Sequence, residues 1–227
     1  MSLAIVAPTT REARAVGPEC QVTGTGKQGE QRLAEILREQ KPTTVLITGL
    51  CGGLDPSLGP GDLILAREVF QEDGVGLKPP EMTVTSARRA LRKGKTRFVC
   101  SGLVTVEAPA ATPGTKLELW NIHGAAGVDM ETASFARVAM EQGVDWIALR
   151  AVIDPAAMSL PRTIHDWNGQ ESDLAIALRL ARQPHNWLAS GRLLISLRSA
   201  LKSLRLGTPI VARVARDTVP LGDDLLA

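Results

Sequence analysis

Short apolar runs alternate with amphipathic stretches along this 227-residue chain. Leu3-Ala4-Ile5-Val6-Ala7-Pro8 reads as a buried strand ending in a turn. A glycine-rich turn, Gly24 to Gly29, leads into a helix over about Glu30 to Glu39, with Leu33, Ala34, Ile36 and Leu37 on its apolar side. Lys41-Pro42 stops that helix, and Thr44 to Thr48 is the next strand, followed by a second glycine-rich turn from Gly49 to Gly53. Leu63 to Ala66 predicts another strand, and Arg97 to Glu107 one strand broken at Gly102. Helices are predicted over Pro113 to Asn121 and Glu131 to Gln142, the latter stopped by Gly143, before a strand over Trp146 to Val152. Strands alternating with helices imply a three-layer α/β/α sandwich around a central mixed, largely parallel sheet. Gln71 to Arg92, with its prolines and charges, is expected to be a mobile loop.

Composition narrows the class. Hydrophobic residues make up 44% of the chain and charged residues 22%, so one sizeable core fits this length. A catalytic domain is expected over residues 1–180, a basic Leu-rich helical extension over 181–216 and a flexible tail over 217–227. Cys20, Cys51 and Cys100 are odd in number and lack metal-ligand spacing, which fits a reducing cytosol and predicts no metal. Charged residues at Arg11, Glu12 and Arg14 interrupt the apolar start, so no signal peptide is expected, and the protein is expected to be cytoplasmic. The net charge of +2 is small, yet Leu174 to Arg216 carries Arg and Lys residues and neither Asp nor Glu. Leu188, Leu193, Leu194, Leu197, Leu201 and Leu204 recur there at helical spacing beside Arg192, Arg198, Lys202 and Arg205. A basic amphipathic helix over 187–206 can lie on an anionic membrane or pack on its own domain. No aromatic-interleaved basic groove accompanies it, so nucleic acid is not an expected partner.

Candidate chemistry sits at strand and helix ends. The turn at Gly49, Cys51, Gly52 and Gly53 would bring backbone N–H groups close to a ligand. Asp55 and Asp62 beside it read as turn formers. Glu131 stands at a helix start and Asp154 just past a strand end, where open α/β sheets build their sites. Taken alone, Glu131 could merely complement a helix dipole and Asp154 could merely shape a turn. Together they suggest an enzyme that holds a sugar and protonates a leaving group.

The order of these motifs resembles the nucleoside phosphorylase-I superfamily, which includes purine nucleoside phosphorylases and methylthioadenosine/S-adenosylhomocysteine nucleosidases. The resemblance covers about residues 3–155. It rests on Thr23-Gly24-Thr25-Gly26-Lys27, Gly49-Leu50-Cys51-Gly52-Gly53-Leu54, Val128-Asp129-Met130-Glu131 and Arg150-Ala151-Val152-Ile153-Asp154. A closer likeness to the hopanoid-associated phosphorylases extends to about residue 207, through Leu160-Pro161 and Arg182-Gln183-Pro184.

That resemblance implies removal of adenine from adenosylhopane, with Asp154 as general acid at the purine N7 and Glu131 holding the ribose hydroxyls. Met130 would pack on the sugar, Gly52 and Gly53 would line the site, and Thr105 and Val106 would border the base. Glu12 matches the acid that positions water in the nucleosidases, whereas Thr9, Thr10 and Arg11 stand where phosphorylases bind phosphate. Leu50 and Ile153 replace hydroxyl residues of the superfamily, and no aromatic residue takes the base-stacking position. The family likeness favours phosphorolysis with inorganic phosphate as co-substrate; hydrolysis of a soluble adenosine derivative and a silent nucleoside-binding protein are the alternatives. The resemblance also implies a homo-oligomer and no organic cofactor.

Overall fold

A computed structural model describes residues 2–71, 73–160 and 187–217. The elements run β1 (Leu3–Ala7), α1 (Thr10–Val16), β2 (Cys20–Val22), α2 (Gly26–Gln40), β3 (Thr44–Gly53), β4 (Leu63–Gln71) and β5 (Gly76–Leu77). They continue with α3 (Glu81–Lys93), β6 (Phe98–Thr105), α4 (Pro113–His123), β7 (Gly127–Asp129), α5 (Thr132–Glu141), β8 (Asp145–Asp154) and α6 (Trp187–Asp217).

The sheet is mixed and largely parallel. β1 pairs in parallel with β2 and β3, β3 with β8, β4 with β6, and β6 with β7. β3 with β7, β4 with β5 and β4 with β8 are antiparallel. Because β3, β8, β4, β6 and β7 pair in a closed cycle, the sheet curls on itself instead of lying open. Apolar residues fill both of its faces. Leu33, Ile36, Phe135, Ala136 and Trp146 lie in one cluster, and Leu46, Leu63, Leu91, Ile147, Leu204 and Val211 in another.

Three expectations are corrected. The stretch from Gly49 to Gly53 is not a turn, since β3 runs through it with a register shift between Cys51 and Gly52. Flanking strands on both sides supply the ladder that offsets glycine's backbone entropy. Gly102 likewise does not break β6, because β4 pairs along its whole length. Finally, Gln71 to Arg92 is not one loop. It holds the end of β4, β5 and most of α3, whose Val84, Ala87 and Leu91 are buried at helical spacing.

The basic C-terminal segment forms α6, which continues to Asp217 and lies against the sheet. Ala200, Leu204, Val211, Ala212 and Ala215 are buried, and the Thr208 hydroxyl meets that of Thr48 on β3 at 3.1 Å. The expected boundary at residue 180, Pro161 and Arg182-Gln183-Pro184 lie outside the described residues, as does the tail beyond Asp217. No described helix is long and apolar enough to cross a membrane.

Candidate active site

Glu12 is placed by its own helix. Thr9 caps α1, its hydroxyl and N–H donating to Glu12 Oε2 at 2.5 and 2.9 Å, a reciprocal capping box. The other carboxylate oxygen accepts the Leu50 N–H of β3 at 2.7 Å. Glu12 is thereby buried and fixed against the glycine strand. Gly49 makes this approach feasible. A Cβ there would strike Arg150 Nη1 and come within 2.8 Å of Glu12 Oε1, at a φ of +155°.

Arg150, on β8, is fully buried. Its Nε donates to Asp129 Oδ2 and Thr132 Oγ1, each at 2.8 Å, and Nη1 reaches the Thr48 carbonyl at 3.4 Å. Nη2 is buried with no hydrogen-bond partner among the described residues. Asp129 is further held by Thr132 and by the Thr105 hydroxyl at 2.8 Å. Glu131 stands at the N-cap of α5. Burial pushes its carboxyl up to about 8, against the pull of Arg150 and with the push of Asp129 and Glu12.

Asp154 ends β8 and is buried. Its Oδ2 receives Lys116 Nζ at 2.5 Å. Burial raises the carboxyl to about 6, and Lys116 opposes that rise. Gly52 leaves the room required, since a Cβ there would lie 3.3 and 3.5 Å from the two Asp154 oxygens. Cys51 lies between the two ion pairs. Burial, reinforced by Asp129 and Asp154, pushes its thiol well up, so it is uncharged at neutral pH.

The expected site residues therefore divide. Glu12, Gly49, Gly52, Glu131 and Asp154 gather around the Arg150 and Lys116 cations. Thr105 directs its hydroxyl to Asp129 and accepts the Ala133 N–H, and Val106 is buried in an apolar cluster that Met130 borders. Gly53 packs against Val152 and Pro155. Thr9 is committed to the helix cap, while Thr10 is exposed and Arg11 half-buried at the start of α1. Asp55 and Asp62 are turn formers, accepting the Ser57 and Gly59 N–H groups. Arg150, Asp129, Thr132 and Lys116 were missed as site residues. Arg150 and Asp129 lay in the quoted motifs, whereas nothing in the sequence singled out Lys116.

A cavity of about 400 Å³ lies beside the Asp154 strand end, lined by Pro155, Ala157, Met158, Arg192, Ile195 and Ser196. A larger one, about 660 Å³, opens at the start of β6 among Arg88, Arg92, Lys95 and Arg97, and no site carboxylate lines it. Chemistry locates the site better than size does. Among the described residues, no group of three or more His, Cys, Asp or Glu could hold a metal ion.

A curled mixed sheet carrying buried carboxylates paired to buried cations defines an α/β protein with a polar centre at its strand ends. Residues 19–179 match the profile of the Phosphorylase superfamily, and the chain belongs to that family. It is 24% identical over 164 residues to a 5′-methylthioadenosine/S-adenosylhomocysteine nucleosidase of Marinomonas sp. (strain MWYL1), covering 64% of this chain and 71% of that protein. The Campylobacter jejuni 5′-methylthioadenosine/S-adenosyl homocysteine nucleosidase has the same fold. Its TM-score is 0.70 at 15% identity, covering 96% of this chain and 100% of that one. The futalosine hydrolase of Helicobacter pylori strain 26695 gives 0.69 at 14%, covering 96% and 97%.

Proposed function

We propose that this chain cleaves the N-glycosidic bond of a purine nucleoside, with water as the nucleophile. The observation that carries the reading is the convergence of Glu12 Oε1 and the Arg150 guanidinium beside Gly49, with Arg150 Nη2 left without a hydrogen-bond partner among the described residues. A carboxylate and a spare guanidinium N–H can hold a water between them, one accepting its proton and the other orienting its oxygen. A phosphate dianion in the same place would face Glu12, Asp129 and Glu131 at once, which disfavours phosphorolysis. Glu131 accepts from or donates to the ribose hydroxyls. Asp154, poised near neutrality, gives a proton to the departing purine, and the C1′–N9 electron pair goes with that base. The names of the nucleosidases and of the futalosine hydrolase above agree with this chemistry. Adenine release from methylthioadenosine at the same rate with and without phosphate, giving free sugar, is the expected result. A ribosyl phosphate formed only in the presence of phosphate would refute the water route.

A second reading keeps the glycosidic cleavage but makes the substrate lipid-linked, as in adenosylhopane. It is favoured by the cavity beside Pro155 and Met158, which Ile195 of α6 helps to line. Shallow membrane contact through α6 belongs with this reading. Leu204 is turned inward and Leu193, Leu197 and Leu201 are half-covered, so contact would rest on exposed Leu194, Ile195 and Leu206 with Arg192, Arg198, Lys202 and Arg205. Flotation with anionic liposomes, lost on L194S/I195S, is the expected outcome. Failure of the wild type to float removes membrane contact. A homo-oligomer has its candidate surface on α4, where Leu117 and Ile122 are more than half exposed, and sedimentation at several concentrations tests it.

A further inference from the structure

α4 presents most of its first turns to solvent, with Pro113 to Thr115, Leu117 and Glu118 exposed. Its one buried residue is a lysine, Lys116, with no exposed surface. Hydrophobic packing does not explain that inversion, because an unpaired buried ammonium is costly. Every proton on Lys116 Nζ has somewhere to go. Besides Asp154 Oδ2 at 2.5 Å, it reaches the backbone carbonyls of Pro155 at 2.9, Met158 at 3.1 and Asp154 at 3.3 Å. Three donors meet four acceptors and no donor, so the cage fits the charged amine and not the neutral one. Two of those carbonyls belong to the segment leaving β8, which Lys116 thereby ties to α4. The lysine thus holds one carboxylate oxygen, Oδ2, and makes no hydrogen bond to Oδ1.

We propose that Lys116 is the positioning residue for Asp154. It fixes one carboxylate oxygen, presents the other to the purine, and stabilises the anion that remains once Asp154 has given up its proton. This rests on the glycosidic-cleavage reading and adds to it what makes a buried acid strong enough to act. In the step itself the Asp154 O–H bond breaks and a purine N–H bond forms. The C1′–N9 electron pair passes to the purine, and the ribosyl cation is taken by the nucleophile. Lys116 keeps all its protons throughout. Burial alone would hold Asp154 protonated and reluctant, and the adjacent ammonium offsets this. Among the described residues, the groups facing the carboxyl are Lys116 from α4 and the uncharged Cys51 thiol from β3, with the Arg150–Asp129 pair beyond Cys51. Arg192 of α6 lines the neighbouring cavity beside Pro155 and Met158.

The test is the pH–rate profile of purine release by wild type and Lys116→Met, read together with two NMR titrations. The wild-type rate should fall with rising pH as Asp154 loses its proton. In Lys116→Met that limb should move upward by more than one pH unit, with at least a tenfold lower rate on the plateau. A variant slowed equally at all pH values, with its limb unmoved, would overturn the proposal and leave Lys116 a structural residue. Titration of the Asp154 side-chain carbon and of Lys116 Nζ in the wild type needs neither catalysis nor a folded variant. A shared midpoint is expected, because the lysine signal reports its partner's change of charge, and a Lys116 signal that ignores the Asp154 midpoint would overturn the pairing. Wild-type protein that releases no purine yet shows the shared midpoint would sink the cleavage reading alone.

Discussion

Two buried ion pairs flank Cys51, and they are satisfied in opposite ways. At the Arg150 pair, one guanidinium serves Asp129 directly and feels Glu131 and Glu12, yet its Nη2 has no hydrogen-bond partner among the described residues. At the Lys116 pair the cation is the saturated member, with four acceptors for its three protons, and only one of the carboxylate oxygens is tied to it. One centre therefore offers a spare donor and the other a spare acceptor or acid. Glycosidic cleavage asks for this division. The sugar and its nucleophile need oriented donors and carboxylates, while the base needs one proton delivered by an acid whose conjugate anion is stabilised.

Removing each pair's working member should break this comparison most sharply. Asp154→Asn keeps the shape but cannot give up a carboxyl proton, so purine release should fall by about 10²–10⁴-fold, roughly 3–5 kcal/mol of barrier, with circular dichroism unchanged. Near-normal turnover would show that the acid lies elsewhere. Arg150→Leu should lower stability to urea by about 3–5 kcal/mol, because Asp129, the Thr132 hydroxyl and the Thr48 carbonyl all lose a buried donor. The matching change Lys116→Met should cost clearly less, since Asp154 can take up a proton. Equal losses would erase the asymmetry.

Smaller effects sharpen it. Thr132→Val removes a hydroxyl shared between Arg150 and Asp129, at a cost of about 1–3 kcal/mol in urea unfolding. The mildest concerns Glu131, whose folded carboxyl sits near 8 against an ordinary 4.5. A carboxyl raised on folding binds its proton more tightly in the native state. Its contribution is fully present below the unfolded value and is lost as pH rises through the folded one. Between pH 7 and 8.5 the loss should be about 1 kcal/mol, read as a falling Tm, and Glu131→Gln should flatten it. A wild-type Tm that is flat or rising over that window would contradict a half-buried, proton-binding Glu131.

Much of the fold was legible because it is written in local chemistry. Apolar runs marked β1, the first half of β3 and most of β8, and Gly143 marked the end of α5. Two further signals were present but unread. Thr9-Thr10-Arg11-Glu12 is a capping-box sequence that starts α1, and Val84, Ala87 and Leu91 carry the apolar spacing of α3. The glycines from Gly49 to Gly53 misled for a physical reason. Whether such a stretch turns or extends depends on neighbouring strands that the local sequence does not contain. At the candidate site, Glu12, Glu131 and Asp154 were picked out by their motifs and lie by the buried Arg150 and Lys116, whereas Thr105 holds Asp129 through its hydroxyl.

By itself the sequence determined an α/β architecture, the carboxylates at the ends of its elements and the family, because periodicity and motif order are local properties of the chain. Only the tertiary structure decided that β3, β8, β4, β6 and β7 close into a cycle, that the leucines of α6 turn largely toward the sheet, and that Lys116 is buried. A lysine among Thr115, Leu117 and Glu118 looks like any solvent-facing cation. Its role arises from three carbonyls and a carboxylate almost forty residues downstream, which the fold alone brings within reach.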